Sequence, residues 1–330
     1  MLNPKLHLNE EIFLKDVELK STRQGFGDAL VEFGKDPRII ALTCDLTESL
    51  KLDKFAKAYP ERFIEVGIAE QNMAGIATGL ALSGKIPFSC THANFQPSQN
   101  WAQLRLLVCF SNANVKLIGS HSGLSNGPDG GAALSLEDIA LVRVLPNMTV
   151  LNPIDYWQTQ KAVEMAIKHV GPVYIRVSKE ETPIITSADT PFEIGKAQVL
   201  VEGEALTLAA TGPIVYEALQ AAKELKAKHH IEVEVLAFPT IKPMDEETLI
   251  NSVKKTGKII TIEEHQKYGG FGSAVAEILA ENLPTPQKIM AVQDTFGESG
   301  SYQELKDKYG LSSQHIVIET LKFLEKVNSK

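Results

Sequence analysis

Cysteine is scarce in this chain: Cys44, Cys90 and Cys109 are the only three, odd in number and without metal-ligand spacing. That argues against a disulfide framework or a cysteine metal site and leaves reduced, buried small hydrophobes. No apolar run approaches the roughly 18 residues of a membrane span. The N-terminal stretch MLNPKLHLNEEIFLKDVELK carries acidic residues where a signal peptide would be apolar, so a cytoplasmic protein with no membrane partner is expected. Nor is there a basic block: 33 Lys and Arg against 41 Asp and Glu leave a formal charge of −8, which argues against nucleic acid as a partner. Internal repeats and low-complexity segments are also missing, which excludes a solenoid. What remains is a globular composition, 44% hydrophobic and 22% charged over 330 residues, enough for two domains with full cores.

The most informative stretch is FIEVGIAEQNMAGIATGLALSG, from Phe63 to Gly84. It reads as a short buried strand, Phe63 to Val66, a turn at Gly67, and a helix beginning near Ala69. The helix is built of small and apolar residues, among them Ala74, Gly75, Ala77, Gly79 and Ala81. Each interior glycine weakens a helix by about 1 kcal/mol relative to alanine, so a close approach by another surface is expected there. Glu70 lies in the first turn. One reading is a solvated carboxylate favouring the helix dipole; the other is a desolvated carboxyl poised to hydrogen-bond a ring nitrogen.

Strands and helices alternate along the rest of the chain, which predicts α/β architecture with parallel, doubly wound sheets. Ser21 and Thr22 can cap a helix carrying Phe26, Ala29, Leu30 and Phe33. Arg23, against the dipole in that first turn, is either solvated or an anion contact. A strand at Ile39–Thr43 runs into LTCDLTES, with Asp45 just past its carboxyl end, where open α/β sheets place ligands. A strand before Thr91 leads to a loop with His92 and Phe95 and a helix from about Ser98; Phe95 taken alone fits a core position. The strand at Val115–Ile118 enters a loop with five glycines between 119 and 131, suited to wrapping a ligand. Further strands are expected at 149–151, 173–177, 206–210, 233–238, 258–263 and 288–292. The expected organisation is a leader at 1–19, a first domain at 20–182, a linker at 183–197 and a second domain at 198–330.

The run VGIAEQNM with its Gly/Ala-rich helix, the stretch EEHQKYGGFGSAVAE and the run FGESGSYQELKDKYGL together resemble the transketolase family. The resemblance extends over about residues 20 to 327. It implies two doubly wound parallel-sheet domains: a thiamine diphosphate pyrimidine-binding domain followed by the transketolase C-terminal domain. By the same resemblance, Glu70 hydrogen-bonds the aminopyrimidine ring of the cofactor and promotes its reactive tautomer. Phe95 matches the aromatic that stacks on that ring, and Asp45 an acid near cofactor and substrate. Asp129 matches the acid that binds a substrate hydroxyl, and Arg23, Ser49 and His121 match residues that hold a sugar's phosphate. Three positions depart from the family. Ala133, in GGAALS, stands where a histidine is usual; His92 stands where phenylalanine is common; and Lys179 stands where a phosphate-binding arginine is common. Lysine keeps the charge but loses the bidentate fork.

One further absence acquires meaning only beside this resemblance. The family holds the cofactor diphosphate through Mg2+ bound at a Gly-Asp-Gly motif, and no GDG occurs here; the nearest string, PDGG at 128–131, is in the glycine-rich loop. The expectation is therefore half of a site on this chain. The other half, with the diphosphate and metal ligands, would come from a separate N-terminal transketolase subunit carrying GDG. A heterotetramer in which this chain dimerises is implied, transferring a two-carbon ketol unit from a ketose phosphate to an aldose phosphate. Two other readings stay open: the β subunit of a 2-oxo acid dehydrogenase, which shares fold and glutamate, and a non-catalytic regulatory subunit, for which Ala133 is the best sign. The set Arg23, Ser49 and His121 and the run FGESG favour a sugar-phosphate enzyme over the former. The presence of Glu70, Phe95 and Asp129 speaks against the latter.

Overall fold

The computed structural model describes residues 2–329. The first half of the chain runs β1 (Leu19–Lys20), α1 (Thr22–Phe33), β2 (Ile39–Thr43), α2 (Asp53–Ala58), β3 (Phe63–Glu65), α3 (Glu70–Leu82), β4 (Ile86–His92) and α4 (Trp101–Gln103). It continues through β5 (Lys116–Ser120), α5 (Asp138–Arg143), β6 (Thr149–Leu151), α6 (Tyr156–Lys168), β7 (Val173–Arg176) and β8 (Thr182–Pro183). The second half runs β9 (Gln198–Val201), β10 (Thr207–Ala210), α7 (Val215–His229), β11 (Glu234–Ala237), β12 (Thr240–Lys242) and α8 (Glu246–Thr256). It ends with β13 (Ile259–Gln266), α9 (Phe271–Asn282), β14 (Gln287–Val292), α10 (Tyr302–Lys308) and α11 (Ser313–Asn328).

Seven strands form the first sheet, in the order β12-β6-β7-β5-β4-β2-β3, and five the second, in the order β14-β13-β10-β11-β9. Both are parallel except at one edge strand each, β12 and β9. Strands β2, β5, β6 and β7 are buried at every residue, as parallel strands covered by helices on both faces require. One face of the first sheet carries Phe26, Leu30, Phe55 and Phe88; the other carries Met73, Leu104, Val108 and Val150. Each such fully buried side chain contributes about 1.5–3 kcal/mol relative to exposure. Helix α1 starts where Ser21 accepts the Gln24 N–H at 3.2 Å. It lies so close on α6 that a Cβ at Gly25 would stand 2.5 Å from the Tyr156 carbonyl oxygen.

Four local expectations change. Strand β3 is a half-exposed sheet edge rather than buried, because among the described residues no strand pairs beyond it. The helix expected from Ser98 is a series of turns leading to α4 and then a π-helical segment, Leu104–Cys109, which sets Leu104, Val108 and Cys109 into the core. The leader is bound: Leu8 and Ile12 are buried with Leu206 and Leu219, and the Asn3 N–H donates to the Leu200 carbonyl at 2.9 Å. Strand β12, from the second half of the chain, crosses back to extend the first sheet beside β6. The three cysteines are free and buried, and among the described residues no helix is long and apolar enough to cross a membrane.

Candidate active site

The carboxyl ends of β2, β4, β5 and β7 converge, and the sequence beyond each end carries the predicted polar residues: Asp45 and Ser49 after β2, His92 closing β4, His121 after β5, and Lys179 after β7. Ligands of open α/β sheets bind at such ends. Arg23, at the start of α1, enters the same place: its Nη1 donates to the Ser49 carbonyl at 2.7 Å and lies 3.4 Å from His121 Nε2. Its Nε is buried without a partner among the described residues. Burial lowers the Arg23 pKa, with Glu180 and Glu181 acting in the opposite direction.

His92 and His121 stack with ring centroids 3.8 Å apart, and Ser49 Oγ stands 3.4 Å from His92 Nε2 and 3.2 Å from His121 Nε2. His121 sits at φ 57°, a left-handed conformation that directs the ring inward, and its Nδ1 meets Ser120 Oγ at 3.0 Å. Burial pushes His92 down to about 4; Asp129 opposes, and Lys179 and Arg23 add to the fall. Burial followed by His92, Arg23 and Lys179 pushes His121 down to about 2. Lys179 Nζ reaches Asn126 Oδ1 at 3.4 Å. The result is a guanidinium and an ammonium close to two rings that burial keeps neutral, a cluster suited to an anion.

Phe95 continues the stack, its ring 5.8 Å from that of His92 and inclined by 11°. Glu70 opens α3, half-buried, with Thr91 Oγ1 donating to its Oε1 at 3.4 Å and Asn100 Nδ2 to its backbone carbonyl at 3.3 Å. A carboxyl, a hydroxyl and a flat ring thus lie along the end of β4, a donor set that fits a polar heteroaromatic ring. The structure does not join every predicted residue by contact. Asp45 is exposed at φ 61°, and its backbone N–H donates to Glu65 Oε1 at 2.6 Å. Asp129 is exposed at the end of the loop and reaches His92 only through its charge. Among the described residues no group of three or more His, Cys, Asp or Glu side chains is placed to hold a metal.

Residues outside the predicted set hold the loop that carries His121. Glu264, at the end of β13, accepts the Leu124 N–H at 3.1 Å and the Tyr302 hydroxyl. Arg176 pairs with Asp138 at 2.8 Å in full burial and donates to the Glu264 carbonyl at 2.8 Å. Tyr174 gives its hydroxyl to Asp138 at 2.8 Å. The Gly300 N–H bonds the Gly127 carbonyl at 3.2 Å. The runs EEHQ and FGESGSY were visible in the sequence, but nothing in them says which chain segment 140 residues away they touch.

Comparison with known proteins agrees with this architecture. Residues 19–184 match the transketolase pyrimidine-binding domain family and residues 195–316 the transketolase C-terminal domain family. The chain is 41% identical to the 6-deoxy-6-sulfo-D-fructose transketolase subunit SqwH of Clostridium sp. (strain MSTE9), covering 96% of this chain and 98% of that one. It is 39% identical to an apulose-4-phosphate transketolase subunit of Phocaeicola vulgatus, over 92% and 97% of the two chains. A solved structure described as a split-gene transketolase in an inactive beta4 tetramer superposes with a TM-score of 0.86 at 43% identity, over 92% of this chain and 98% of that one. The fold also matches transketolase from Campylobacter jejuni, with a TM-score of 0.79 at 22% identity over 95% of this chain but 50% of that longer one. Two domain families in the expected order, and whole-length similarity to separate transketolase subunits, lead to one assignment: the chain belongs to the transketolase family, alongside subunits encoded by split genes.

Proposed function

We propose that this chain is the pyrimidine-binding and C-terminal subunit of a two-chain transketolase that moves a two-carbon ketol unit from a ketose to an aldose with an anionic terminus. The observation that carries this reading is the convergence of Arg23, Ser49, His92 and His121 in one cluster, beside the Glu70 and Phe95 end of β4. The similar subunits are named for a sulfo-sugar and a sugar phosphate, and a cationic pocket suits the anionic end of either. Residues 20–182 form the pyrimidine-binding domain, 183–197 a linker and 198–330 the C-terminal domain in this reading.

The residues fit the aminopyrimidine end of thiamine diphosphate: Glu70 would hydrogen-bond a ring nitrogen and Phe95 would support the ring face. Asp45, exposed beyond β2, would border the cofactor and substrate only from outside this cluster. When bound, thiamine diphosphate would supply a nucleophilic thiazolium carbon. This chain orients and charges the site: Arg23, Ser49, His121 and Lys179 hold the sugar's anion, His92 lies against it, and Asp129 holds a hydroxyl. A partner subunit carrying GDG provides the Mg2+ and diphosphate ligands, a division supported by the lack of GDG here and by the match to half of a single-chain enzyme. The active particle is a cytoplasmic heterotetramer in which this chain dimerises.

A coupled ketol-transfer assay with xylulose 5-phosphate and ribose 5-phosphate, then with sulfo-sugar donors, tests the proposal. Thiamine diphosphate and Mg2+ are supplied throughout. Turnover with both subunits, and none with either alone, is expected. Turnover by this chain alone, or transfer of an acyl group from a 2-oxo acid by the mixture, would overturn it.

A further inference from the structure

Arginine can only donate hydrogen bonds. Arg23 Nη1, 3.4 Å from His121 Nε2, therefore faces a ring nitrogen that accepts, and the ring hydrogen belongs on Nδ1, where Ser120 Oγ takes it at 3.0 Å. In this tautomer the single Nε2 lone pair of His121 takes the Arg23 N–H and stands 3.2 Å from Ser49 Oγ. An anion that draws Arg23 and Ser49 onto its own oxygens leaves that lone pair facing oxygen lone pairs. His92 cannot relieve the conflict by moving aside, since it lies between His121 and Phe95 in a three-ring stack.

We propose that filling this pocket is coupled to uptake of one proton from solvent: Nε2 of His121 is protonated as the anion enters, and the stacked pair with His92 accepts only that one. The proton converts a repelling lone pair into a charged donor to the anion, and the ring then carries hydrogen on both nitrogens. A second proton on His92 would place two cationic rings 3.8 Å apart, beside Arg23 and Lys179, which like-charge repulsion opposes. The groups facing the pair are Arg23 from α1, Asp129 from the glycine-rich loop and Lys179 after β7, with Glu180 and Glu181 acting on Arg23. Of these, the cations and burial keep both rings neutral in the empty pocket, so the incoming negative charge is what brings the proton. His92 is thereby a specificity-determining residue: it limits the site to one added charge.

The inference rests on the reading of this pocket as the substrate-anion site, and its test needs no turnover. Sulfate, which carries the same charge from pH 6 to 8, is titrated calorimetrically into the full chain in buffers of different ionisation enthalpy. Proton uptake approaching one per sulfate as the pH falls is expected, with affinity rising by up to about tenfold per pH unit, the limit for one linked proton. His121→Gln should abolish the uptake while the protein remains folded, and His92→Phe should retain it and move its onset to higher pH. Sulfate binding with no buffer dependence would overturn the inference while leaving the transketolase reading intact. So would uptake retained in His121→Gln. Absence of sulfate binding to the chain and to its assembly with the partner would overturn both.

Discussion

Leu124 and Glu264 meet across the boundary between the two sheets: the Leu124 N–H donates to Glu264 Oε2 at 3.1 Å, three residues beyond His121. The other carboxyl oxygen takes the Tyr302 hydroxyl. Gly123 is so close that a Cβ there would lie 2.5 Å from the same carboxylate. The second half of the chain thus fixes the backbone from which His121 projects.

Replacing Glu264 with alanine leaves a buried N–H and a buried hydroxyl without acceptors, at a cost of about 1–3 kcal/mol. Urea denaturation should show that loss, and the assembled enzyme should show a higher KM for the anionic sugar with a smaller change in kcat. Glu264→Gln keeps one acceptor for Leu124 and should recover part of both. An unchanged KM in the alanine variant would mean that the loop holds its shape without this contact.

Asp138 and Arg176 form a fully buried ion pair at 2.8 Å. Burial alone would raise the Asp138 pKa, but the charge and hydrogen bonds of Arg176, with the Tyr174 hydroxyl, bring it below its ordinary value. A lowered folded-state pKa contributes stability that is present above the ordinary aspartate range and lost as pH falls through the folded value. Asp138→Asn leaves an uncompensated buried guanidinium, costing about 3–5 kcal/mol. Denaturation of this variant at pH 7 should be shifted by that amount, and its stability should respond less to acid than that of the wild type.

Helix α3 supplies a test whose two halves have opposite signs. Cβ atoms added at Gly75 and Gly79 meet nothing within 4 Å, while Ile68, Leu82 and Phe110 are 82%, 71% and 83% exposed. Alanine at each glycine should stabilise the isolated chain by about 0.5–1 kcal/mol through helix propensity. If another chain packs closely on this face, the same methyl groups weaken association. Thermal denaturation at low concentration and sedimentation analysis should therefore move in opposite directions. Stabilisation with undiminished association would place the intersubunit contact elsewhere.

Alternating strands and helices made both parallel sheets legible in the sequence, and the α3 motif and the glycine-rich loop pointed to the carboxyl end of the first sheet. Arg23, Ser49, His92 and His121 converge there, although they are spread over about a hundred residues. What stayed hidden were relations with no local periodicity. The π-helical turn at Leu104–Cys109 has the same apolar pattern as an ordinary helix. The return of β12 to the first sheet depends on packing rather than on its three residues. The leader reads as polar, yet Leu8 and Ile12 pack into the core of the second half and Asn3 bonds its edge strand β9. Arg176 looks like an ordinary strand residue until Asp138, 38 positions away, is folded against it.

The central proposal, that this chain supplies the carboxyl serving the aminopyrimidine ring of thiamine diphosphate, is tested most directly by Glu70→Ala in the assembly with the proposed GDG-bearing subunit. Ketol transfer is measured alongside subunit association. Loss of activity by about 100- to 10,000-fold, the range for removal of a general acid–base group, with association unchanged, is the predicted result. Wild-type turnover by the variant would contradict the account.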